Sequence, residues 1–134
     1  MKHAGFAIFA TVLLTTAALA QSRPVPQPSD VVGTWGAFDK TTGQCTPDAV
    51  EVDLASTQLR IGNGGDLLVL EPIGPATCRN NRCTVRTKVA VPKYGIWTWT
   101  FRDRDVATIQ GKFPLDGSAE GLADFKETLK RGCR

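Results

Sequence analysis

Four cysteines, a few carboxylates and two groups of arginine and lysine carry most of the chemical potential of this 134-residue chain. Histidine is the informative shortage, because the single one is His3. From residue 4 onward the chain has no Ser-His-Asp or Cys-His triad, no imidazole metal ligand and no imidazole proton shuttle. Ser22, Ser29, Ser56 and Ser118 fall in tail or turn stretches, poor ground for Ser-Lys chemistry. Asp103 and Asp105 flank Arg104 and read as a solvated turn before they read as the paired carboxylates of a glycosidase. Asp116-Gly117-Ser118-Ala119-Glu120 offers some oxygen ligands for calcium but lacks the full loop pattern. No glycine-rich phosphate loop follows a strand and opens a helix. The expectation is a protein that is not an enzyme and has no cofactor or metal.

Cysteine chemistry depends on compartment. Met1-Lys2-His3 precedes an uncharged apolar run from Ala4 to Leu19, and Ala18-Leu19-Ala20 is a small-x-small cleavage site. This reads as a signal peptide over 1–20, cut after Ala20. The run is short beside the about 20 residues a membrane span needs, and no second apolar stretch is long enough. Export places the protein in the periplasm or outside the cell, where Cys45, Cys78, Cys83 and Cys133 form two disulfides. Zinc is the lesser reading: Cys78 and Cys83 are not a close-spaced ligand pair, and no histidine joins them. Of three possible connectivities, Cys78–Cys83 with Cys45–Cys133 is preferred. The first closes a short loop across a hairpin end, worth about 2 kcal/mol; the second closes most of the domain, worth about 4–5 kcal/mol before strain.

The formal charge is +3, and loss of Lys2 with the leader lowers it to +2. That is too slight to indicate a nucleic-acid partner. The basic residues are nonetheless grouped. Arg79, Arg82, Arg86 and Lys88 surround the cysteine pair, and Lys126, Lys130, Arg131 and Arg134 close the chain. They suit an acidic protein or the phosphates of an anionic envelope component, against the plainer reading of solubilising charge. Arg23 is the one cation in the tail. Arg23, Arg79 and Arg82 are the candidate partner-binding residues.

The elements that position these groups follow from periodicity. Ile96-Trp97-Thr98-Trp99-Thr100-Phe101 alternates with a period of two, so Trp97, Trp99 and Phe101 share one face of a strand. Such aromatics bury about 150–250 Å² each, which makes this strand the centre of the core. Val50 to Leu54, Gln58 to Ile61, Asp66 to Ile73, Val85 to Val91 and Val106 to Phe113 also read as strands, separated by Gly, Pro and Asn turns. Val31 to Phe38 begins the fold, and Cys78 to Cys83 reads as a tight polar connection. Leu122 to Arg131 allows a helix face through Leu122, Phe125 and Leu129, or a strand face through Phe125, Glu127, Leu129 and Arg131. The strand is preferred because it closes a sheet. Gln21 to Asp30, with three prolines, reads as an extended tail. About eight strands in 31–134 imply a single all-β domain, a small antiparallel barrel or sandwich with an interior filled by aromatics.

Gly33-Thr34-Trp35 near the start of this pattern resembles the Gly-x-Trp of lipocalin-type barrels. The resemblance implies that Trp35 sits at the closed end of a barrel and that an arginine near the last strand, Arg131, packs over it. The size, the signal peptide, the tail before the tripeptide and Cys45 after it are similar to bacterial periplasmic inhibitors of secreted metalloproteases. Those are short lipocalin-like barrels whose N-terminal segment enters the protease cleft; their pattern has two cysteines where this chain has four. The resemblance implies an inhibitor of a hydrolase, a protease or lysozyme. A small-ligand carrier using the barrel mouth and a structural envelope protein are the alternatives.

Overall fold

The structure, a computed structural model, describes residues 25–47, 49–63, 65–88, 95–114 and 122–134. The expected leader, Arg23, the end of the Val85 to Val91 strand and the Asp116 to Glu120 stretch lie outside them. A 3-10 turn at Pro28–Val31 leads into β1 (Gly33–Gly36), β2 (Val50–Leu54), β3 (Leu59–Asn63), β4 (Asp66–Pro72), β5 (Thr77–Arg79), β6 (Arg82–Lys88), β7 (Ile96–Asp103), β8 (Val106–Pro114) and β9 (Leu122–Arg131). Every described pairing is antiparallel, in the order β4-β3-β2-β1-β9-β8-β7-β6-β5. Glu71↔Lys88 and Pro72↔Thr87 join β4 to β6 and close an eight-stranded barrel. Closure shortens the free edge, which persists on β9 before Lys130, where no described residue pairs on the β1 side. The fold is therefore the all-β barrel expected, with both preferred disulfides, Cys45–Cys133 and Cys78–Cys83.

The register explains how the barrel is filled. On one half, Trp35, Val52, Ile61 and Leu68 are successive cross-strand partners, as are Gly33, Leu54, Leu59 and Leu70. On the other, Cys83, Trp99 and Ile109 form one inward row, and Phe101, Ala107 and Leu129 the next. Large faces small across the rows. Ala107 lies opposite Phe101, and Gly111 lies so close under the Trp97 ring that a Cβ there would overlap it. Phe125, the partner of Gly111, packs its ring 5.4 Å from that of Trp97. Trp35, Trp97 and Trp99 are fully buried. The indole N–H groups of Trp97 and Trp99 find no acceptor among the described residues. Each such donor costs about 1–3 kcal/mol, which ring burial offsets.

Three stretches differ from expectation. Of the expected extended tail, Gln27 is extended but Pro28–Val31 form a turn, held by a reciprocal pair in which Asp30 N donates to Gln27 O at 2.8 Å and Gln27 N to Asp30 Oδ2 at 2.7 Å. Val31 is wholly buried, so this segment belongs to the domain. Second, Cys78 to Cys83 is more than a connection. Thr77↔Thr84, Cys78↔Cys83 and Arg79↔Arg82 make a tight hairpin around Asn80, whose positive φ of 57° asparagine tolerates. Because β4 and β5 both pair along β6, they form one strand broken by a bulge. There Ile73 to Ala76 face only Val85 and Arg86. Third, β9 alternates as the strand reading requires, with Phe125 and Leu129 buried, but Glu127 between them is exposed. β1 pairs with β9 only at Trp35↔Arg131 and Gly36↔Lys130. Past that point β9 has no described partner on that side, and the carboxylate reaches water there.

Candidate binding surface at the closed end

One end of the barrel is sealed by the residues around Trp35. The Trp35 Nε1 donates to the Val31 carbonyl at 3.0 Å, which ties the 3-10 turn to β1. The Arg131 guanidinium lies 4.5 Å from the centre of the Trp35 ring, the stack expected from the resemblance. Its Nη2 donates to the carbonyls of Asp30 at 2.7 Å and Arg104 at 3.0 Å, and its Nε faces Asp105 Oδ1 at 3.3 Å. One planar fork thus fastens three chain segments: the root of the tail, β9 and the β7–β8 turn. Gly36 stands so close to the Cys133 backbone that no side chain fits, and Gly132 N donates to Thr34 O at 2.7 Å.

Beside this seal is a groove of about 580 Å³. Its walls are the tail at Val25 to Gln27, the β5–β6 turn at Asn80 and Asn81, and β7 with its turn from Phe101 to Arg104. The walls are fixed. Phe101 N donates to Asn81 O at 2.8 Å, and Asn81 Nδ2 to Phe101 O at 3.3 Å, so one hairpin tip is bonded to the next strand. The Cys78–Cys83 bridge pins the base of that tip. Asp103 Oδ1 accepts the N–H groups of Asp105 at 2.9 Å and Val106 at 3.1 Å, which shapes the β7–β8 turn. Asp103 and Asp105 therefore serve a turn and an arginine, as the solvated-turn reading has it.

The structure sorts the sequence's basic residues. Arg79 and Arg82 stand directly opposite each other on the outer face at the hairpin tip, both exposed. Lys88 leaves that group to pair with Glu71 at 2.9 Å. In the C-terminal group, Lys130 donates to Gly43 O at 2.7 Å and Arg131 seals the barrel, so both belong to the fold. Arg102 and Arg104 join the groove, although nothing in the local charged pattern from 102 to 105 sets them apart. Their place depends on bringing together residues from three separated stretches, and no local pattern announces it. Elsewhere, the Asp39 carboxyl is held below its ordinary value by the backbone N–H groups of Thr41 and Thr42, which it accepts at 2.7 and 3.1 Å. Compared with known proteins, the chain matches no family model, no curated protein and no solved structure.

Proposed function

We propose that this is a non-enzymatic binding protein of the periplasm or the exterior, acting as an inhibitor of a hydrolase, a protease or lysozyme. The observation that carries this reading is the pairing of a filled barrel with a fixed tail root. Trp35, Trp97, Trp99, Leu59, Ile61 and Ile109 occupy the interior, which favours recognition on the outside over carriage within. Meanwhile the described part of the tail, Val25 to Gln27, runs into the fixed Pro28–Val31 turn, with Val25 60% exposed. Prolines in the tail limit the entropy lost when it enters a groove in a partner. The Trp35–Arg131 stack adds to the resemblance to lipocalin-type barrels.

The test uses the mature chain, immobilised, against envelope and culture-fluid proteins of its own source, followed by activity assays of any hydrolase captured. Inhibition by the full chain, weakened when the chain is begun at Pro26, is the expected result. Native mass spectrometry showing a retained small molecule, with no hydrolase inhibited, would replace this reading with the carrier.

A further inference from the structure

We propose that the groove at the closed end, lined by Arg102 and Arg104 and flanked on the outer face by Arg79 and Arg82 next to its wall residues Asn80 and Asn81, is a docking cleft for an extended acidic polypeptide segment. The proposal rests on the binding-protein reading and deepens it, because it assigns a second contact surface besides the tail and states its chemistry.

Charge placement is the first argument. Arg79 and Arg82 are direct cross-strand partners at a hairpin tip, and like charges so placed are destabilising. No carboxylate among the described residues lies within ion-pair distance of either. Arg82 also pairs with Thr100, so Arg102, the next outward residue of β7, is its diagonal neighbour. Arg102 meets only its own neighbour Asp103, at 3.5 Å, with both side chains more than half exposed. Three arginines thus occupy neighbouring register positions on the exposed face beside the groove, with almost no internal compensation among the described residues. An incoming carboxylate between them turns a repulsive arrangement into paired, charge-assisted hydrogen bonds.

The second argument is preorganisation. The disulfide, the two Asn81–Phe101 hydrogen bonds and the Gln27–Asp30 pair hold all three walls in place before anything binds. Little ordering entropy then opposes binding.

The lining selects the occupant. Val25, Pro26 and Phe101 give the groove an apolar side next to these arginines. An extended peptide sends alternate side chains to opposite faces, so it can present carboxylates to the arginines and apolar groups to the wall. Asp30 and Asp103 also line the groove. They hold the turn N–H groups and Arg102 and so keep negative charge inside the groove, which leaves the incoming carboxylates to the arginines flanking it.

The test titrates a fluorescein-labelled peptide alternating glutamate and valine against the mature protein, the R79Q/R82Q double variant and R102Q, read by fluorescence anisotropy. The control peptide carries glutamine for glutamate. Expected are binding of the acidic peptide alone, and a loss of about tenfold or more in R79Q/R82Q, the worth of one hydrogen bond to a charged group. The melting temperature of R79Q/R82Q should stay level or rise, because a like-charge pair is removed. Equal affinity of wild type and R79Q/R82Q overturns the proposal. So does tighter binding of inorganic phosphate or a single-stranded oligonucleotide, which would mark a polyanion surface instead. A melting temperature of R79Q/R82Q lowered until the protein is unfolded at the assay temperature also overturns it, since the arginines would then act through the fold. If the peptide fails to bind while a captured hydrolase is still inhibited, the cleft falls and the inhibitor reading stands. If the peptide binds and no hydrolase is inhibited, the cleft stands without the inhibitor reading.

Discussion

Arg131 shows how much of this small domain hangs on single side chains. It stacks on Trp35 and donates to two carbonyls from different parts of the chain. Arg131→Ala should lower stability by about 2–4 kcal/mol, from a cation–π contact of about 0.5–2 and the loss of charge-assisted hydrogen bonds. Arg131→Lys should recover less than half of that, since an ammonium cannot stack and fork at once; denaturant titration of both variants is the check. Gly111 is a second such residue, because Trp97 occupies the space a methyl would need. Gly111→Ala should cost about 1–3 kcal/mol through overpacking, and Trp97→Ala about 3–5 kcal/mol through the cavity it leaves. A midpoint for Trp97→Ala equal to wild type would contradict its burial. Asp39 acts through pH. Its carboxyl is held below the ordinary value of 3.8 by hydrogen bonds to the ionised form, so its support for the 39–44 loop is full above that value. The support fades as pH falls through the lowered folded-state value. A carboxyl-carbon NMR titration should find Asp39 titrating below its ordinary value of 3.8.

At the scale of elements, period and turn chemistry made most strands legible. The aromatic strand is β7, with Trp97, Trp99 and Phe101 inward as the alternation requires. The residues from Leu122 to Arg131 carry both a helical and a strand pattern, and strand wins through long-range pairing: β9 matches β8 from Pro114↔Leu122 to Val106↔Lys130. A free ten-residue helix would be marginal, whereas the strand also satisfies the open edges of β8 and β1. Less legible was the turn at Pro28–Val31. Pro28 looks like one more proline of an extended tail; the turned form is held locally by the Gln27–Asp30 pair and the Trp35–Val31 hydrogen bond, and from far along the chain by Arg131. The groove was invisible for the same reason, since its walls come from residues 25–27, 80–81 and 101–104. The disulfides allow a test at this scale. Replacing Cys78 and Cys83 by serine removes a loop of sequence separation 5, and replacing Cys45 and Cys133 one of 88. The expected losses are about 2 and about 4–5 kcal/mol on the chain-entropy estimate. Denaturation midpoints that reverse this order would show that the short bridge supports the hairpin tip by more than loop closure.

For the molecule as a whole, the main design is a sealed end from which a tail and two hairpin tips project, with a packed interior behind them. The seal and the long disulfide have a mechanical consequence. Residues 45–133 form a covalent ring, and that ring holds β2 through β9; β1 alone among the strands lies outside it. A load applied between the tail and the C-terminus cannot unravel the barrel. It can only break the grip of Arg131 and peel β1 away, up to Cys45. In single-molecule stretching from both ends, the described residues before Cys45 should therefore extend to about 66–72 Å at 3.3–3.6 Å per residue, after which the chain stiffens abruptly. Adding a reductant should bring the remaining strands into reach of the force. A partner gripping the tail would pull against a strap of one strand and a welded hoop of eight.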